Sequence, residues 1–181
     1  MEEVKKFKVY IDSNLIFSPE KIKNLKEKEA KALEEILDNY GHNLSFCTSE
    51  KTKEEIERLK DIKKRVYLKF IYFVLLHVSR QNIIEFIPAT FGSVCFGSAT
   101  FGGGVGVENH LFTKLKQFFE QDDAEQIFQA EKNNCDYFLT LDEKTILAPT
   151  KEKRNEFEKL GLKIKIVSPT GLLSDLRKLG L

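Results

Sequence analysis

The sequence predicts an α/β protein: a three-layer α/β/α sandwich around a largely parallel, five-stranded sheet. Three observations lead there. Two short apolar runs, Phe7-Lys8-Val9-Tyr10-Ile11 and Tyr137-Phe138-Leu139-Thr140-Leu141, have strand length and stand beside helical patterns, as buried strands of a parallel sheet do. Strand-like and helix-like stretches alternate along most of the chain, which is the pattern of βα units. Both apolar runs stop on an aspartate, Asp12 and Asp142. Ligands of open parallel sheets bind beyond the carboxyl ends of the strands. Two acids 130 positions apart (142 less 12) are therefore expected at one place, and two close like charges repel unless a cation lies between them.

The elements follow in order. After the first strand, residues 19–40 carry Ile22, Leu25, Ala32, Leu33, Ile36 and Leu37 at helical spacing; Pro19 suits the first turn and Gly41 the end. Asn43-Leu44-Ser45-Phe46-Cys47 reads as the second strand. Thr48-Ser49-Glu50 opens a helix with Ile56, Leu59 and Ile62 inward, and 66–79 continues as a strongly apolar, buried helix. Ile83-Ile84-Glu85-Phe86-Ile87 before Pro88 reads as a third strand. Leu111, Leu115, Phe118 and Phe119 mark the next helix, and Ala124, Ile127, Phe128 and Ala130 another. Strand 137–141 follows, then a partly helical stretch interrupted at Pro149, a helix over 151–160, Gly161, the last strand Ile164-Lys165-Ile166-Val167, and a helix over 169–179.

Residues 91–105 stand apart, with Phe-Gly-Ser-Val-Cys, Phe-Gly-Ser-Ala-Thr and Phe-Gly-Gly-Gly-Val as three turns of one five-residue motif. Glycine this dense disfavours regular structure. The segment reads as an insertion at about 91–106 in a single domain spanning 1–181, or as an aromatic loop on which bases stack.

Composition bounds the function. With 41% hydrophobic and 31% charged residues the chain is an ordinary globular protein. A formal charge of +1 excludes bulk attraction to nucleic acid, so any basic surface is local. Cys47, Cys95 and Cys135 form no CxxC pair, which points to buried, inert thiols in a reducing compartment. The start, Met1-Glu2-Glu3-Val4-Lys5-Lys6, lacks the apolar centre of a signal peptide. Residues 66–78 contain Lys69 and His77 and fall short of the ~20 residues that span a bilayer. A cytoplasmic location without membrane association is expected.

Two further acids belong with Asp12 and Asp142. Glu55 has Leu59 at i+4 and Ile62 at i+7, which puts it on the inward face of its helix, with Glu54 and Glu57 turned outward. Asp123 has Ile127 and Ala130 at i+4 and i+7 and points inward from a helix N-terminus. Taken singly, Asp123 and Asp142 read as helix N-caps and Glu55 as a solvated charge. Four acids arranged about the same sheet point to chemistry. Clustered carboxylates hold Mg²⁺ or Mn²⁺, hard cations that prefer oxygen, and such ions activate water for attack at phosphorus. The three histidines, His42, His77 and His110, are scattered and are read as non-catalytic.

The segments Val9-Tyr10-Ile11-Asp12-Ser13-Asn14-Leu15, Ser49-Glu50-Lys51-Thr52-Lys53-Glu54-Glu55-Ile56, Asp123-Ala124-Glu125-Gln126-Ile127 with Ala130, and Asp136-Tyr137-Phe138-Leu139-Thr140-Leu141-Asp142 resemble, in order and spacing, the PIN-domain nucleases. Ile166-Val167-Ser168-Pro169-Thr170 resembles that family's last strand. The likeness covers nearly the whole chain; 66–121 is its least diagnostic part and the Phe-Gly repeat has no counterpart. It implies a metal-dependent endoribonuclease on single-stranded RNA, with Asp12, Glu55, Asp123 and Asp142 as metal-binding acids and Asn14 and Thr140 as polar neighbours. Many such relatives are toxins of toxin–antitoxin pairs, and this chain is longer than the usual toxin. An antitoxin or other protein partner and homodimerisation are left open. Lys60, Lys63, Lys64 and Arg65, with Lys151, Lys153 and Arg154, are candidate phosphate contacts. The alternatives are a PIN-fold binding module without catalysis and a phosphohydrolase of the haloacid dehalogenase type. The latter needs an aspartate where Asn14 stands.

Overall fold

The computed structural model describes residues 6–13, 15, 25–78, 90–91, 107–108 and 110–180. Its centre is a parallel sheet of four strands: β1 (Phe7–Ile11), β2 (Leu44–Cys47), β5 (Tyr137–Leu139) and β6 (Lys165–Val167), in the order β2-β1-β5-β6. The sequence leads one to expect five. The missing one, 83–87, lies outside the described residues, as does most of the Phe-Gly repeat. A two-stranded antiparallel ribbon, β3 (Thr90–Phe91) with β4 (Val107–Glu108), brackets that repeat.

Strand parity decides what each side of the sheet carries, because successive side chains point to opposite faces. Tyr10, Cys47 and Phe138 meet Phe112, Leu115, Ala124, Ile127, Phe128, Ile146 and Phe157. These come from helices α4 (His110–Leu115), α5 (Gln121–Lys132) and α7 (Arg154–Glu158) and from the wide π turn Glu143–Leu147. Val9, Tyr137 and Leu139 face Ala32, Ile36, Leu172, Leu173 and Leu176 instead, from α1 (Glu27–Glu35) with its π-turn extension Ile36–Tyr40 and from α8 (Pro169–Lys178). Helices therefore cover both faces. That is why the strands read as continuous apolar runs and not as alternating ones.

Ring stacking pins the middle of the sheet. Tyr10 and Phe138, neighbours across β1 and β5, lie with centroids 5.2 Å apart and planes 9° from parallel, and neither is exposed. Phe138→Ala is expected to cost about 3–5 kcal/mol, since it opens a cavity under a fully packed ring. For a domain of this size that lowers the melting temperature by roughly 10 °C. A thermal melt checks this, and a drop under about 3 °C would mean that the site collapses around the loss.

Several local expectations need correcting. The helix expected from Thr48 is α2 (Glu50–Glu57), ending at Arg58, and Ile62 belongs to the next helix, α3 (Ile62–Val78). Ile62 is 65% exposed, so it is no inward anchor, and Val66 at 60% and Tyr67 at 59% show that the apolar α3 is not buried all round; among its described side chains Leu68 and Tyr72 are buried. High apolar content sets how much surface wants cover, not which side receives it. Gly41 does not end α1 in the left-handed conformation. Its φ is −53°, and the chain tightens there into a 3₁₀ turn, Gly41–Asn43. Pro149 does not interrupt a helix but sits in the first turn of α6 (Ala148–Glu152), where its missing N–H costs nothing. Gly161 has φ +69°, a value glycine adopts without strain, and it turns the chain into β6. Among the described residues no helix is long and apolar enough to cross a membrane.

Candidate functional site

In the order β2-β1-β5-β6 the chain leaves β1 toward β2 on one side, while β5 and β6 lie on the other. The switch point falls between β1 and β5, where open parallel sheets form a crevice at the strand carboxyl ends. Asp12 follows β1 there, and Thr140 follows β5. Both have the parity of Tyr10 and Phe138, so they emerge on the face covered by α5.

Asp12 is 1% exposed, which requires donors for its oxygens. Thr140 Oγ1 donates to its Oδ2 at 2.5 Å and Ser13 Oγ to its Oδ1 at 3.3 Å. The Thr140 hydroxyl in turn accepts the Asp142 backbone N–H at 2.9 Å, tying the turn after β5 to the carboxylate after β1. Asp142 Oδ1 accepts from the Thr145 N–H at 2.8 Å. Asp142 is thus an N-cap, as the bland reading has it, and it stands two residues from Thr140.

Glu55 reaches the same place from α2. Gln126 Nε2 donates to its Oε1 at 2.7 Å, and the Ser13 hydroxyl is close enough to favour its charged form. Glu54, by contrast, is turned to solvent and lies 3.8 Å from Arg58. The position of α2 is fixed by hydroxyls: Tyr10 Oη and Ser49 Oγ are 2.8 Å apart, Thr48 and Thr52 Oγ1 2.7 Å. Ser49 occupies the N-cap position but makes no side-chain cap bond; its hydroxyl is committed to Tyr10. Burial pushes the Tyr10 phenol well above its ordinary value, against the Ser49 and Thr52 bonds, and the charges of Asp12 and Glu55 add to the rise.

Asp123 is in the first turn of α5, whose cap position is Glu120, so it is not the helix cap. Burial raises its carboxyl to about 6, with Asp12, Asp142 and Glu120 adding to the rise and the Thr145 hydrogen bond opposing it. Glu55 is raised too, by burial first, then by Asp12 and Asp122 against the Ser13 and Gln126 bonds. The charge of Asp12 is felt both at Glu55 and at Asp123, and that of Asp142 at Asp123, so Asp12 links the acids into one electrostatic neighbourhood. Asn14 lies outside the described residues.

A raised carboxyl stabilises the fold fully below its unfolded value and loses that contribution as pH climbs through its folded value. For Asp123 the window runs from about 3.8 to about 6. Two units correspond to about 3 kcal/mol, which water screening of a partly exposed group cuts to about 1 kcal/mol. In chelator at pH 7.5, Asp123→Asn should therefore melt about 2–4 °C above the parent, and most of that gain should vanish at pH 4.5. A variant melting at or below the parent at pH 7.5 would show that the acids do not repel.

Of the basic candidates, Arg65, Lys151, Lys153 and Arg154 have side-chain contacts close by. Asp61 Oδ1 accepts the backbone N–H groups of Lys63 and Lys64, and Arg65 Nη1 donates to Leu59 O at 3.0 Å. Arg154 pairs with Glu158 at 2.8 Å, and Lys153 lies over the Phe118 ring. Lys151 contacts Glu143 at 3.3 Å, the residue next to Asp142. Arg58 bridges α2 and α5 through Asp122 at 3.6 Å.

Sequence reasoning missed Ser13, Gln126 and Thr145. Gln126 and Thr145 follow Asp123 and Asp142 by three positions, a spacing that shares a helix face and was the available signal. The thiols also hold a surprise: Cys47 and Cys135 Sγ are 3.6 Å apart, both buried, and the contact together with burial pushes the Cys47 thiol up.

Among the described residues no three His, Cys, Asp or Glu side chains are gathered as a metal-holding group. The donor chemistry nonetheless suits a hard cation. It consists of carboxylates, two of which, Glu55 and Asp123, are raised by burial first and by the charge of Asp12 as well, held by hydroxyl and amide donors which a cation could relieve. No protein-family model matches this chain, and no curated protein matches it.

Proposed function

We propose that this protein is a PIN-like, metal-dependent ribonuclease that cleaves single-stranded RNA inside the chain, and that it works in the cytoplasm. One observation carries the reading: buried Asp12 at the switch point of the sheet shares its electrostatic neighbourhood with Glu55 and Asp123 from two separate helices. Natural cores avoid uncompensated carboxylates, and a binding module without chemistry has no need to gather them.

Asp12, Glu55, Asp123 and Asp142 would hold Mg²⁺ or Mn²⁺, which supplies a nucleophilic water at neutral pH and stabilises the leaving oxygen. The chain's own groups do the rest. Thr140 fixes the orientation of the Asp12 carboxylate and carries the Asp142 turn with it. Ser13 stands between Asp12 and Glu55. The hydroxyl pairs at Tyr10–Ser49 and Thr48–Thr52 hold the helix that presents Glu55. Lys151 and Arg58 are cations suited to attracting a polyanion, each now paired with an acid that substrate phosphate would replace.

The purified protein incubated with end-labelled single-stranded RNA should give internal cleavage products with Mn²⁺ and none with chelator. Failure with both Mn²⁺ and Mg²⁺, or equal cleavage in chelator, would overturn the reading.

A further inference from the structure

We infer that Gln126 is a positioning residue for Glu55 and an outer-sphere ligand of a hydrated divalent cation, its side-chain oxygen accepting a hydrogen bond from a cation-bound water. The inference rests on the cation reading of the acidic cluster.

Gln126 is 2% exposed and follows Asp123 by three positions on α5, on the same side of the helix. Its Nε2 donates to Glu55 Oε1 at 2.7 Å. Its Oε1 is buried and, among the described residues, has no hydrogen-bond partner. An unmet buried acceptor costs about 1–3 kcal/mol, and such groups are few enough in folded proteins that each calls for an explanation. Rotating the amide does not provide one, because the oxygen would then face a carboxylate oxygen, acceptor against acceptor. Chemistry therefore fixes the nitrogen toward Glu55.

The oxygen belongs to the same small planar amide, so it is held one bond length or two from the nitrogen that Glu55 anchors. It can only accept. Glu55 is an acceptor as well when ionised, so the donor is not this acid, and a ligand that carries water supplies one. A hydrated Mg²⁺ or Mn²⁺ brings several such donors, because these ions retain water when carboxylates bind them. Partners of this second layer tune affinity as well as orientation. A purely structural glutamine would need only its nitrogen bond to Glu55, and an apolar side chain would fill the remaining space without the cost of an unmet acceptor.

The test is Mn²⁺ binding, followed by calorimetry and by the electron paramagnetic resonance signal of free Mn²⁺, on the parent, Gln126→Met and Gln126→Glu, with thermal melts in chelator. Gln126→Met loses one bond and one unmet acceptor together, so its metal-free melting point should stay close to the parent's. Its Mn²⁺ affinity should fall about 10–100-fold. Gln126→Glu keeps an acceptor but adds a charge, so its metal-free form should melt lower and bind Mn²⁺ at least as tightly as the parent. Parental affinity within about twofold in Gln126→Met would overturn the assignment while leaving the cation site standing. If Gln126→Met does not fold, Gln126→Glu decides, and a tenfold weaker affinity there overturns it. A parent that binds no Mn²⁺ removes the cation reading itself, and this role with it.

Discussion

Asp12→Asn is expected to reduce metal-dependent RNA cleavage by about a thousandfold or more, a loss at the upper end for a single preorganised electrostatic group. The fold should survive it. Thr140 and Ser13 both present hydroxyls to the Asp12 side chain, and a hydroxyl donates or accepts as its neighbour requires. Asn at this position keeps one acceptor for one hydroxyl and offers the other a donor. The backbone N–H of residue 12 still bonds Leu139 O at 3.0 Å. What disappears is the charge, and with it the strongest attraction the crevice has for a cation. Circular dichroism and a thermal melt establish folding, and cleavage of labelled RNA with Mn²⁺ measures the loss. A folded Asp12→Asn protein with undiminished cleavage would remove Asp12 from the site.

The second large effect separates two adjacent residues. Glu55→Gln should slow cleavage by orders of magnitude, whereas Glu54→Gln should leave it within a few-fold. Glu55 accepts from Gln126, has the Ser13 hydroxyl nearby and feels the charge of Asp12; Glu54 faces water beside Arg58. Both changes keep shape and helix propensity nearly the same, so a difference in rate reports position alone. In Glu55→Gln the new amide meets Gln126 and Ser13, which can rotate to suit it, and stability should hardly move. Equal losses in the two variants, or a greater loss at Glu54, would mean that α2 presents a different face to the substrate.

The four described strands of the sheet were readable because each is a short apolar run beside a helical pattern, and a strand covered on both faces has no other way to look. The same local rule placed Asp12 at a strand end. Glu55 came out inward, though one of its two supports failed: Leu59 packs against Ile56 and Leu68, while Ile62 starts another helix. Periodicity can be counted across a break that only the backbone reveals. Contacts between distant segments were readable only where strand ends converge, as at Asp12 and Thr140. Nothing near Cys47 in sequence announces Cys135, and nothing near Glu55 announces Gln126. Such pairs are set by the register of β1 against its neighbours, which no local pattern encodes.

That register has a consequence for how the protein comes into being. β1 is bonded on one side to β2 and on the other to β5, with Val9 opposite Tyr137. At ribosomal speeds of ~5–20 residues per second, β5 follows β1 by on the order of ten seconds. Until then the inner edge of β1 is an open template of unpaired amides, and Asp12 has neither Thr140 nor Asp123 beside it. Long-range parallel pairing of this kind is slow to form. An unfinished chain therefore cannot assemble the acidic cluster, and any activity that resides there begins only after β5 has left the ribosome.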